Sequence, residues 1–162
     1  MATVESLIVF FIEGFLSLGA GLGILGIRLN LRHMGLLSCL YSLITYGVRK
    51  LYALYNIPFG THTFIILGIF ALFIVFIGKQ KILDSILSVI VSLSLMLLGE
   101  SFFLFPILNF LGVDFTTLTT RIGGTLLLAL AVYIPLIIAF CFCYVLKFTV
   151  INMNHFKNVN RL

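Results

Sequence analysis

Residues 86–108 read ILSVIVSLSLMLLGESFFLFPIL, with Glu100 as the one ionisable side chain in the run. At 1.5 Å of rise per residue such a helix is about 35 Å long, enough to cross a hydrocarbon core of about 30 Å. A carboxylate inside a crossing segment is expensive. It is kept where it faces a partner, a water-filled cavity or a ligand. Glu13 poses the same question in the first apolar run, so two of the five acids in the chain lie deep inside apolar sequence.

The rest of the chain fits this reading. It has 162 residues, of which 62% are hydrophobic and 9% charged. A soluble domain carries about 25% charged residues, so this composition cannot supply a polar shell. The expected fold is all-α, a polytopic transmembrane helical bundle. Period-2 alternation is absent, which argues against a membrane β-barrel. The opening MATVESLIVFF lacks a basic n-region and a small-residue cleavage site, so the first span is expected to be retained.

About five spans are expected: residues 4–27, 34–48 (or to 55 across Arg49 and Lys50), 61–77, 82–108 and 122–146. Residues 1–146 form the transmembrane domain, and 147–162 form a short polar cytoplasmic tail. A turn is expected at residues 56–60, where Pro58 and Gly60 punctuate the pattern. Pro135 should kink the last span. With the N-terminus outside, the inner segments hold Arg28, Arg32, Lys79, Lys81, Lys147, Lys157 and Arg161, and the outer ones Arg49, Lys50 and Arg121. Seven against three favours N-out and C-in, in a multi-pass protein of the cell membrane. The net charge of +5 belongs to these span ends, with no basic run or interleaved aromatics to suggest nucleic acid.

Rise along each helix sets the depth of the buried charges. Glu100 lies about 27 Å and Arg49 about 22 Å from an inner start, both toward the outer side. Glu13 lies about 14 Å below an outer start, near the middle. His62 opens the third span close to the outer turn. Glu13, Arg49, His62 and Glu100 are therefore the candidate ligand-binding residues. Arg49 and Glu100 are the expected pair, because a guanidinium matches a carboxylate bidentately and stays charged. The same pair could serve only to hold two helices in register.

Ser92, Met96 and Glu100 share a helix face, as do Glu13, Ser17 and Ala20. Ser85, Ser88, Ser92 and Gly99 form one small-residue stripe, and Gly19, Gly23 and Gly26 another. Such stripes serve close helix packing, within the chain or with a protein partner or second copy. The three cysteines, Cys39, Cys141 and Cys143, have no metal-ligand spacing and are expected to be buried and inert. No HExxH, GxSxG, P-loop or dinucleotide fingerprint occurs. Neither a metal, a cofactor nor an enzymatic activity is expected.

The segment at residues 49–103, RKLYALYNIPFGTHTFIILGIFALFIVFIGKQKILDSILSVIVSLSLMLLGESFF, resembles the membrane sensor half of Firmicute AgrC-like histidine kinases with GHKL ATPase domains. The matching positions are Arg49, Pro58, Phe59, Gly60, His62, Thr63, Gly99 and Glu100. That family has more spans, and its kinase begins where this sequence reaches Arg161 and Leu162. HFKNVNRL at residues 155–162 is either the start of that family's signalling helix or a true C-terminus, and in the second case the resemblance implies the sensor without the kinase: a bacterial module that binds a small extracellular ligand, such as a peptide, and signals to a cytoplasmic partner. Two other readings stay open at this point. One is the substrate-binding subunit of a small-molecule importer, and the other is a structural subunit of a membrane complex.

Overall fold

The computed structural model describes residues 2–55, 61–112 and 123–149. Those residues are helical, with no strand among them. The turn expected at residues 56–60, most of the connection after the fourth span and nearly all of the tail lie outside them.

Helix α1, Ala2–Ile24, is the hub. It touches α2 (Leu31–Tyr55), α4 (Ile82–Gly99), α6 (Gly124–Val132) and α7 (Ile134–Ala139). It ends where Gly26 takes the left-handed conformation, φ 75°. The amides of Gly26 and Ile27 then return to the carbonyls of Gly23 and Leu22, a Schellman ending that satisfies two free carbonyls. Helix α3, Thr61–Phe76, packs only on α2 and α4 among these neighbours.

Asp84 stands in the first turn of α4, where a carboxylate meets the positive helix end. Past Gly99 the helix widens into a π-helical turn, Glu100–Leu104, and continues as α5, Phe105–Leu111. Pro106 follows at once. It has no N–H for a bond to the Phe102 carbonyl and its ring crowds that carbonyl, so a regular turn is unfavourable there. Helix α6 starts after Gly123, φ 81°. Its third peptide N–H group, that of Leu126, donates to Glu5 Oε1 at 3.2 Å, so a side chain of α1 caps it from outside.

The kink expected at Pro135 is present: α6 and the helix through Val145 are bent by 55°. The bend falls at Tyr133, and a second π-helical turn, Phe140–Val145, ends the limb below it. Two apolar clusters flank α1. One gathers Leu18, Leu22, Met34, Leu37, Tyr41, Ile66, Phe70 and Val89. The other gathers Val9, Phe10, Leu104, Leu128, Val132, Tyr133 and Leu136.

Large apolar side chains also cover the outside, among them Phe64, Phe76, Phe102, Phe110 and Leu127. Soluble proteins do not expose so much contiguous apolar surface, whereas hydrocarbon accepts it. Among the described residues two helices, Thr3–Ile24 and Ile82–Phe110, are long and apolar enough to cross a membrane, and the bent pair would make a third. The five expected spans are thus only partly matched. Helix α3 has 16 residues, about 24 Å of rise. Helix α2 is long but includes Arg32, Arg49 and Lys50.

The small-residue stripes are used inside the chain. A methyl on Gly21 would lie 2.4 Å from the Ser88 carbonyl oxygen of α4, and one on Gly19 would lie 2.2 Å from the Phe140 ring. Gly23 faces Cys143 at 3.1 Å. The thiols divide: Cys143 is buried, while Cys39 and Cys141 are exposed, against the expectation that all three would be buried. Cys141 and Cys143, two apart, point to different sides of the helix.

Candidate functional site

Glu13 sits at the seam between the two apolar clusters and takes one hydrogen bond from each. The Tyr41 hydroxyl donates to Oε1 at 2.5 Å and the Tyr133 hydroxyl donates to Oε2 at 2.8 Å. Glu13 is 5% exposed, Tyr41 7% and Tyr133 4%, so the three groups form a nearly dry unit. Three elements place them. Helix α1 carries the carboxylate, α2 brings Tyr41, and the bend before Pro135 brings Tyr133.

That bend can approach only because Gly99 has no side chain. A methyl there would lie 1.8 Å from the Val132 carbonyl oxygen. On the other side of the seam, Gly14 lets the Tyr41 ring lie flat on α1, with 2.8 Å to Cδ1 from the place a methyl would occupy. Below, Ser92 Oγ donates to the carbonyls of Ser17 and Ser88 at 2.8 and 2.9 Å. This pins α4 to α1.

Two cavities meet at this unit. One, about 240 Å³, is lined by Glu13, Ser17, Tyr41, Arg49, Thr63, Phe70, Ser92, Met96 and Glu100, with Ile66, Leu67, Val89, Leu93 and Leu97 as its apolar wall. The other, about 260 Å³, is lined by Glu13, Arg49, Met96 and Glu100 again, with Ser6, Phe10, Leu128 and Tyr133 among the rest. Glu13, Arg49, Met96 and Glu100 are common to both and form the shared edge.

Three of the four candidate residues, Glu13, Arg49 and Glu100, are therefore together. His62 lines neither of these two cavities. It is buried, edge-on to the Tyr52 ring at 5.6 Å, and its neighbour Thr63 lines the first cavity in its place. The expected Arg49–Glu100 ion pair is also absent among the described residues. The Arg49 guanidinium instead lies over the buried Phe10 ring, 4.6 Å from its centroid, while Arg49 and Glu100 are both exposed at the cavity edge. A cation over an aromatic face keeps its charge available to other groups.

Tyr41 and Tyr133 are the site residues that sequence reasoning missed. A tyrosine in an apolar run reads as core or interface, and its partner lies 28 or 120 positions away in the chain. The one available signal was Tyr133 two residues before Pro135, at the expected kink. No protein-family model matches the chain, and neither a curated protein nor a solved structure does.

Proposed function

We propose that the chain is a receptor-like membrane module. It binds a small ligand from the outer side in the cleft around Glu13, Arg49 and Glu100, and passes a change in helix packing to a partner on the inner side. The carrying observation is the Glu13 unit. A buried carboxylate, held by one phenol from each apolar cluster, faces two cavities whose shared edge also bears a carboxylate and a guanidinium that are not paired with each other. A ligand that bridges this edge changes the balance between the two clusters, which is the differential affinity for two packings that signalling requires.

The chain crosses the membrane five times in this proposal, N-out and C-in. Support comes from the seven-to-three distribution of Lys and Arg and from the position of Arg49 and Lys50 near the end of α2. In this proposal the module binds its ligand rather than transforming it. The importer and structural-subunit readings gain less. Each would use small-residue stripes for docking, and here Gly19, Gly21 and Gly23 are filled from within the chain.

Native mass spectrometry of the protein purified in mild detergent tests the proposal. The expected spectrum carries a small-molecule adduct that is lost in Glu100→Gln while the variant keeps its helical content and melting temperature. A wild-type protein that never carries an adduct, together with a Glu100→Gln variant that melts early without any ligand, would leave the register-pin reading in its place.

A further inference from the structure

We infer that the cleft selects a ligand bearing an ammonium group attached to a short branched apolar arm, such as the N-terminal end of a hydrophobic peptide or a simple primary amine. This rests on the binding role just proposed and names the ligand class.

Charge gives the sign. The shared edge of the two cavities holds two carboxylates, Glu13 and Glu100, against one guanidinium, Arg49. Arg49 can offset one of them, and a cationic group brought to the buried Glu13 carboxyl would face it with little screening by solvent. The two donors on Glu13 are phenols and bring no positive charge. A carboxylate offers about four lone-pair sites. Two are used by Tyr41 and Tyr133, and Glu13 still lines both cavities, so acceptor capacity faces the space a ligand would fill.

Shape gives the rest. The wall facing this edge in the first cavity is Ile66, Leu67, Val89, Leu93 and Leu97, apolar side chains that suit a branched aliphatic group. Tyr41 and Phe70, with ring centroids 4.5 Å apart, add aromatic surface beside the carboxylate, which favours a cation further. A cavity of about 240 Å³ is below the usual size for a drug-like molecule, so the bound group is small.

The test is thermal unfolding of the full chain in detergent with three probes of one skeleton: leucinamide, leucine and 4-methylpentanoate. Leucinamide has only the ammonium, 4-methylpentanoate only the carboxylate, and leucine both. Leucinamide is expected to raise Tm most and to bind at least about tenfold more tightly than 4-methylpentanoate, a difference of about 1.4 kcal/mol. Glu13→Gln should remove the leucinamide shift. Glu100→Gln, an exposed site that does not disturb the buried unit, should weaken it and serves if Glu13→Gln fails to fold. An ammonium can also come from a lipid headgroup. Repeating the melt in phosphatidylglycerol nanodiscs with and without phosphatidylethanolamine assigns that source if the ethanolamine lipid stabilises and leucinamide then adds nothing. Equal or stronger stabilisation by 4-methylpentanoate overturns the inference, and so does a leucinamide shift unchanged in Glu100→Gln. If neither the probes nor the ethanolamine lipid acts while native mass spectrometry still shows an adduct, the ammonium class is wrong and the binding role stands.

Discussion

From Asp84 to Ser92, helix α4 lies against α1 so closely that a single methyl on Gly21 would meet the Ser88 carbonyl at 2.4 Å. From Leu93 to Glu100 the same helix turns a side to open space and borders both cavities with Met96 and Glu100. The first stretch carries three serines and one leucine, the second four leucines and one serine. They differ in what faces them: serines and a glycine meet across the first, while longer side chains hold the neighbours apart along the second. Along the first stretch, close approach to α1 is set by small residues. Gly99 is the exception within the open half. It brings Val132 to 1.8 Å from where a methyl would be, and so holds the bend that delivers Tyr133 to Glu13.

The comparison breaks most readily at that glycine. Gly99→Ala puts a methyl onto backbone atoms that cannot swing away, and is expected to cost about 3 kcal/mol or more, read from thermal unfolding or denaturant titration in detergent. Gly99→Leu should not yield folded protein. A Gly99→Ala variant as stable as wild type would mean that the contact between α4 and the bend is not a constraint on the fold.

Next in size is the buried unit. Tyr133→Phe removes one donor from Glu13 and should destabilise by about 1–2 kcal/mol. Tyr41→Phe should act similarly, and the double variant should exceed the sum, because Glu13 would then be buried without a donor. Additive losses would show that the two phenols act independently.

A smaller effect is expected at the open edge. Glu100→Gln, exposed and without an ion pair among the described residues, should change ligand-free stability by no more than about 0.5 kcal/mol, measured by the same melts. A loss of several kcal/mol would make Glu100 part of the packed half after all. The smallest effect belongs to glycines that touch nothing: a methyl on Gly47 or Gly68 has no neighbour within 4 Å. Alanine at either should leave Tm unchanged or raise it slightly, by about 0.5–1 kcal/mol of helix preference at most.

The helices were legible in the sequence because apolar run length and rise per residue fix where a helix begins and how far it reaches. Rise along the helices also grouped Glu13, Arg49 and Glu100, and these three do line one shared edge. Rotation about the helix axis was not legible. Two side chains at equal depth pair only if their helices present them to each other, and Arg49 is turned onto Phe10 instead. His62 is likewise near in height but turned toward Tyr52. The partners of Glu13 escaped notice because a phenol can hide its hydroxyl in an apolar pattern until tertiary packing aims it. The glycine and serine stripes were read as close-packing faces, but spacing alone could not say that α1 and α4 would satisfy each other and that Phe140 and Cys143 would fill the rest.

The 55° bend before Pro135 gives the last helical segment two separate bearings. Its upper limb rests on Gly99 and reaches Glu13, and its lower limb rests on Gly19 and Gly23 through Phe140 and Cys143. A straight rod seated at both places would transmit any push at Glu13 along its whole length. A jointed one can tilt above the elbow while its lower seat stays engaged, so force arriving at Tyr133 becomes a rotation at the elbow before anything below it has to slide.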